Sequence, residues 1–182
     1  MIQLKSDLMK LIKNSGSIKD NIINVEKFLN HRVNNEIMHK ISDIFIKRFP
    51  LETFDTVLTV ESSGIPLASF ISAKLSKDLV FIKKKKPLTM DEYFSEESFS
   101  YTKNEKTTLF LSKNVATAEE RFLFVDDFFA RGDTLRGVRS LLVKAGATMA
   151  GFGVIIDKSN SKSVFSILKM EEIKAEMWRH DK

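Results

Sequence analysis

The stretch from Arg121 to Gly137 reads Arg-Phe-Leu-Phe-Val-Asp-Asp-Phe-Phe-Ala-Arg-Gly-Asp-Thr-Leu-Arg-Gly. Phe122 to Val125 is a short apolar run, rich in β-formers and too brief for a helix, so it predicts a buried strand that ends at the adjacent acids Asp126 and Asp127. Ala130, Arg131, Gly132 and Asp133 then form a turn. From Thr134 onward Val138, Leu141, Leu142 and Ala145 recur at helical spacing, and Gly146 follows where a left-handed stop residue is expected. The unit is strand, two carboxylates, glycine-bearing turn, helix.

That order suits a phosphorylated sugar. Backbone N–H groups of the turn and of the first helical turn lack partners and carry the positive end of the helix dipole, which cradles a phosphate. Gly132 lets the backbone approach an anion with no Cβ in the way. Thr134 can cap the helix or give its hydroxyl to a phosphate oxygen. Asp126 and Asp127 can accept hydrogen bonds from vicinal hydroxyls and attract a magnesium ion with its waters. A phosphate site alone has no use for two acids beside it.

Val125 to Thr134 resembles the phosphoribosyl pyrophosphate (PRPP) signature of the type I phosphoribosyltransferases, and the form Asp-Asp-Phe-Phe-Ala-Arg-Gly is most similar to the bacterial xanthine phosphoribosyltransferases. It departs from the common pattern at Arg131, where many relatives carry Thr or Asn. The resemblance covers about Ile18 to Ser159. It implies that Ala130, Arg131, Gly132, Asp133 and Thr134 bind PRPP and that Asp126 and Asp127 are catalytic. It also implies magnesium with PRPP as co-substrate, the ion lying near the two acids and held by no protein site alone. Family members are usually homodimers.

Working outward, Thr56 to Val60 is a β-branched run that reads as a central strand, followed by Glu61-Ser62-Ser63-Gly64-Ile65-Pro66 and a helix with Pro66 in its first turn. Ser62, Ser63 and Gly64 offer hydroxyls and free amides to a second anion. By resemblance this loop receives the pyrophosphate. Leu79 to Ile82 predicts a third strand that runs into Lys83-Lys84-Lys85-Lys86. A lysine run usually blocks strand aggregation, but here it can neutralise a pyrophosphate. Lys83 and Lys84 align with an Arg-Lys pair of the family, and Lys84 is preferred over Lys85.

Residues 87–106 show little periodicity and much Ser, Glu and Lys, as expected for a flexible excursion. Ser100-Tyr101-Thr102-Lys103 resembles the catalytic loop of these enzymes, which gives Tyr101 and Lys103 candidate contacts to the pyrophosphate. Thr107 to Ser112 reads as a returning strand. Thr148 to Asp157 predicts another buried strand, with Lys158 just past its end. The family places a lysine there against the purine.

At the N-terminus Leu4, Leu8, Leu11 and Ile12 predict an amphipathic helix of about three turns, ended by Ser15-Gly16-Ser17. Ile18 to Asn30 is irregular, with Ile22, Ile23, Phe28 and Leu29 available as an apolar wall. By resemblance it is a hood over the base, in which Ile23 and Asn30 contact the purine. Read alone, Asn30 is a turn or cap residue before a helix over 35–49. Ile167 to Met177 predicts a short helix and an edge strand.

The chain has 182 residues, 43% of them hydrophobic and 29% charged, enough for one domain with a sizeable core. No apolar run approaches the roughly 18 residues a membrane span requires, and a cytoplasmic protein is expected. Cysteine is absent, which excludes thiolate and disulfide chemistry, and three histidines far apart make no metal site. The net charge of +5 suits a polyanionic ligand and argues only weakly for nucleic acid. The expected fold class is α/β, a mostly parallel sheet flanked by helices. The expected function is transfer of phosphoribose from PRPP to a purine, xanthine before guanine or hypoxanthine, in purine salvage. The alternative is a PRPP- or nucleotide-sensing regulator of the same fold.

Overall fold

In the computed structural model, which describes residues 1–19, 22–100 and 105–178, the chain opens with α1 (Ile2–Ser15), the short strands β1 (Ser17–Lys19) and β2 (Ile22–Asn24), and a π-helical turn at Glu26–Asn30. It continues through α2 (Asn35–Arg48), β3 (Thr56–Val60), α3 (Ile65–Leu75) and β4 (Leu79–Ile82). After the hairpin strands β5 (Tyr93–Ser100) and β6 (Glu105–Ser112) come β7 (Arg121–Phe129), α4 (Asp133–Lys144), β8 (Thr148–Asp157), β9 (Phe165–Lys169) and α5 (Met170–Trp178). Tyr101 and Lys103 lie outside the described residues. No helix among the described residues is long and apolar enough to cross a membrane.

The central sheet has the order β4-β3-β7-β8-β9, and every neighbouring pair is parallel. Its strands alternate their apolar side chains between two faces, as the period of two requires. Val57, Leu123 and Val125 pack with α1, α2 and α3, whereas Leu58, Val60, Phe122 and Phe124 pack with α4 and the hairpin. Fully buried side chains such as Phe122 and Phe124 are each worth about 3–5 kcal/mol against truncation to alanine. From β3 the chain moves to one edge through β4, and from β7 it moves to the other through β8 and β9. The direction therefore switches between β3 and β7, and a crevice opens at their carboxyl ends.

Several expectations change. The strand predicted to stop at the two acids runs on to Phe129, because β8 continues to pair with it (Asp126 with Val154, Phe129 with Asp157) after β3 has ended its pairing at Phe124. The described residues of the irregular 18–30 segment form an antiparallel pair and a helical turn, pinned by burial of Ile23, Phe28 and Leu29, while Ile22 is 59% exposed and faces the crevice beside Ile23. Asn34, not Asn30, caps α2, with its side-chain oxygen accepting from the Ile37 amide at 3.0 Å. At the other end of the chain the edge strand precedes the helix, the reverse of the expected order.

Within the 87–106 excursion Tyr93–Ser100 is a strand of a hairpin that extends to Ser112, with Tyr93 opposite Ser112 and Glu97 opposite Thr108. The hairpin is fastened to α4. Glu96 accepts from Ser140 Oγ and Lys144 Nζ, both at 2.6 Å, and the same ammonium reaches the Ser95 carbonyl at 2.6 Å. The Lys144 ammonium, followed by the Ser140 hydroxyl, holds the Glu96 carboxyl below its usual range.

Candidate active site

The loop after β3 owes its seat to Gly64. A Cβ built there would lie 2.1 Å from Thr59 Oγ1 and 2.8 Å from Asp126 Oδ1, so only glycine lets the loop lie against the ends of β3 and β7. The Glu61–Ser62 peptide is cis. Glu61 ties this loop to the lysine run, since its Oε1 accepts from the Lys84 amide at 2.6 Å and its Oε2 is 3.3 Å from Lys83 Nζ. Pro66 sits in the first turn of α3, where it displaces no helical hydrogen bond.

Asp127 is the hub. Its Oδ1 accepts from Ser63 Oγ at 3.0 Å and from the Phe128 amide at 2.9 Å, and its Oδ2 accepts from Asn30 Nδ2 at 3.1 Å. The N-terminal segment, the β3 loop and β7 thus meet on one carboxylate. Asp126 accepts the Asp127 amide at 2.9 Å. Burial, and then the neighbouring Asp127 charge, push the Asp126 carboxyl well above the usual carboxylate range, while Lys84 pulls weakly the other way. Such a pair is poised for a cation: a positive charge at its mouth would reverse the cost of ionising both acids.

The turn after β7 enters α4 through Gly132 in the left-handed region (φ +81°), which an L side chain rarely adopts. Gly132 is the residue before the helix, and Thr134 is the second residue within it, so Thr134 does not cap α4. On the β8 side, the Lys158 ammonium lies 4.3 Å from the Phe128 ring centroid. Burial lowers its pKa and the nearby Asp127 opposes that.

These groups surround one cavity of about 380 Å³. Of the expected residues, Ile23, Asn30, Ser63, Lys84, Asp126, Asp127, Lys158 and all five from Ala130 to Thr134 line it. Ser62, Gly64 and Lys83 do not line it; Gly64 supports the loop from beneath and Lys83 faces Glu61. Phe124 stacks on Phe152 with centroids 5.0 Å apart, and Phe129 meets the same ring edge-on at 5.6 Å, which stiffens the floor. Phe128, Phe152, Ser98 and Thr107 were not expected here. Phe128 could have been found from its place in the motif, but the two hairpin residues carry no local signal and are brought in by the pairing of β5 with β6.

The phosphoribosyl transferase domain family matches residues 25–177. The chain is similar to a xanthine phosphoribosyltransferase of Listeria monocytogenes, 37% identical over 154 residues that cover 84% of this chain and 80% of that protein. A xanthine phosphoribosyltransferase of Bacillus thuringiensis is 36% identical over 154 residues, covering 84% and 78%. Among solved structures, the adenine phosphoribosyltransferase of Rhodothermus marinus superposes with a TM-score of 0.72 at 17% identity, over 91% of this chain and 99% of that one. The Trypanosoma brucei adenine phosphoribosyltransferase, in complex with AMP, pyrophosphate and ribose-5-phosphate, gives 0.70 at 20% identity over 93% and 80%. At such identities the superpositions speak to the fold alone.

Proposed function

Because this chain belongs to the phosphoribosyl transferase family, with the type I fold, we propose that it transfers the 5-phosphoribosyl group of PRPP to a ring nitrogen of xanthine in purine salvage. The C1–O bond to pyrophosphate breaks, a C1–N bond to the purine forms, and the nitrogen's proton is released. The observation that carries this reading is the convergence on one cavity of the acid pair, the Gly132 turn and the Lys158–Phe128 contact.

Each wall has a chemical part in it. The amides of Ala130 to Thr134 and the α4 dipole receive the 5′-phosphate, and binding there aligns the reacting carbon. Asp126 and Asp127 take the ribose hydroxyls and favour the positive charge that develops on the ring as the C1–O bond breaks. Ser63 and Lys84 on the cavity wall take the pyrophosphate, with Ser62, Gly64 and Lys83 beside them on the same loops, and by the family resemblance Tyr101 and Lys103, outside the described residues, contact the same group. Asp126 and Asp127 would hold a magnesium ion brought with PRPP through its waters, and such an ion would neutralise phosphate oxygens. Among the described residues no cluster of three or more ligating side chains is placed to hold a metal, and the two acids fit an ion that keeps its waters and substrate oxygens as its other ligands. Ile23, Asn30 and Lys158 face the base. The protein acts as a cytoplasmic homodimer, as one domain over 1–182.

Lys158 favours an oxidised or anionic purine over adenine, and the names of the relatives above agree. With PRPP and magnesium, a panel of xanthine, guanine, hypoxanthine and adenine is expected to give fastest turnover with xanthine. Lys158→Ala is expected to lower kcat/KM for xanthine by about 100-fold, the loss of one charge-assisted contact. Preference for adenine, or an unaltered xanthine rate in the variant, refutes the role of Lys158. PRPP binding without product from any base points to a regulator instead.

A further inference from the structure

Asp133 is out of character where it stands. It is the first residue of α4 and lines the cavity beside Gly132 and Thr134, its side chain only 14% exposed. A helix N-terminus attracts one anion, but a carboxylate and a phosphate dianion placed there together repel each other. A fixed acid in that turn therefore works against PRPP unless its charge is cancelled.

One turn along α4, Arg136 supplies the cancelling charge. Its Nη2 donates to Asp133 Oδ1 in an ion pair, and its Nη1 donates to the Arg131 carbonyl oxygen at 3.2 Å. The same guanidinium thus covers the acid and draws the turn's backbone toward the helix, and the Arg136 amide closes the loop by donating to the Gly132 carbonyl at 2.9 Å. We infer that Arg136 is a positioning residue of the phosphate turn, neutralising Asp133 and turning the Arg131 carbonyl away from the anion so that the turn's amides are left for the 5′-phosphate of PRPP. The inference rests on the function proposed above.

Arg136 is 69% exposed, and a pair three residues apart on a helix whose cation stands in solvent adds little to stability. Its effect belongs in ligand affinity, which separates it from a structural role. Calorimetric titration of PRPP into the full chain is expected to show Arg136→Gln binding about tenfold more weakly, the size of one partly screened charge at short range. The double variant Arg136→Gln with Asp133→Asn keeps the backbone amide at 133 and removes the uncovered acid, so it is expected to regain part of the affinity that Arg136→Gln loses. Arg136→Lys keeps the charge and loses the fork, so its loss falls between parent and Arg136→Gln. Thermal midpoints stay unchanged throughout.

Undiminished affinity in Arg136→Gln overturns the inference. So does a double variant as weak as Arg136→Gln, or a lysine variant equally weak. A parent chain that binds PRPP but turns over no base overturns the proposed function alone, whereas one that binds no PRPP overturns both.

Discussion

The variant carrying Asp126→Asn and Asp127→Asn is expected to lose nucleotide formation by about 1000-fold or more while remaining folded. Removing a single well-placed group that stabilises transition-state charge typically costs about 100- to 1000-fold in kcat, and two adjacent carboxylates act here on the same developing cation. The fold survives because the two changes pull stability in opposite directions. Asp126 has its pKa raised in the folded chain, chiefly by burial, so the folded state binds its proton more tightly than the unfolded state does. Stability from that group is present at low pH and falls as pH rises from the ordinary carboxylate range toward the raised one. Asparagine at 126 removes this cost at neutral pH. Asparagine at 127, by contrast, loses the carboxylate's charge: its carbonyl still accepts from the Ser63 hydroxyl and the Phe128 amide, and the Asn30 amide has to turn its oxygen toward the new N–H₂. Exchanging charge-assisted for neutral hydrogen bonds costs about 1 kcal/mol. Product formation from PRPP and xanthine measures the first effect and thermal unfolding the second. Turnover within tenfold of the parent removes both acids from the mechanism, and a higher midpoint for Asp127→Asn than for Asp126→Asn contradicts the stated hydrogen bonding.

The second large effect is expected at Gly64. Gly64→Val is expected to destabilise the chain by about 3 kcal/mol, since overpacking a tight site costs about 1–3 kcal/mol and here the first added carbon already meets Thr59 Oγ1 at 2.1 Å. For a chain of this length that lowers the melting midpoint by about 6–12 °C. Activity falls further, by about 100-fold, because moving the loop off the clash lifts Ser63 from Asp127, and moving the Asp126 side chain instead displaces the acid pair. A second change isolates the cause. Thr59 is buried and its hydroxyl has no hydrogen-bond partner among the described residues, so Thr59→Ala removes the nearest colliding atom and leaves only the Asp126 contact at 2.8 Å. Gly64→Ala combined with Thr59→Ala is expected to recover most of the stability that Gly64→Ala loses. If the single alanine variant melts with the parent, the close approach is not what seats the loop.

Sequence legibility follows burial. The strands β3, β4 and β8 begin and end where their apolar runs do, because a strand covered on both faces, or flanked by such strands, reads as a continuous apolar stretch. β7 outruns its apolar run because parallel pairing with β8 holds Asp126 to Phe129 extended regardless of side-chain type. The hairpin strand Tyr93–Ser100, reading Tyr-Phe-Ser-Glu-Glu-Ser-Phe-Ser, offers no clean alternation, and it is fixed by its partner strand and by Glu96 on α4. The two short strands near the N-terminus are held by core contacts that no local pattern announces. In the candidate site, the acids and the Gly132 turn were legible as chemistry, and the base side only through resemblance. Asn30 was expected to face the purine or to cap a helix; the cap is Asn34, and the Asn30 side chain donates to Asp127. Its reach across the chain is invisible at position 30. Arg136 had a signal, an acid followed three residues later by arginine at a helix start, whose meaning depends on the phosphate turn beside it.

The carboxylate of Asp127 is hydrogen-bonded by Asn30, 97 residues earlier, and by Ser63, 64 residues earlier. Contacts of such separation form only after long segments have closed on one another, and the entropy of closing them is met by the sheet as a whole. No fragment of the chain can carry half of this centre. Binding competence and completion of the β3–β7 junction are therefore one event in folding, and any ligand that engages Asp127 in this geometry draws the folding equilibrium of the entire sheet with it.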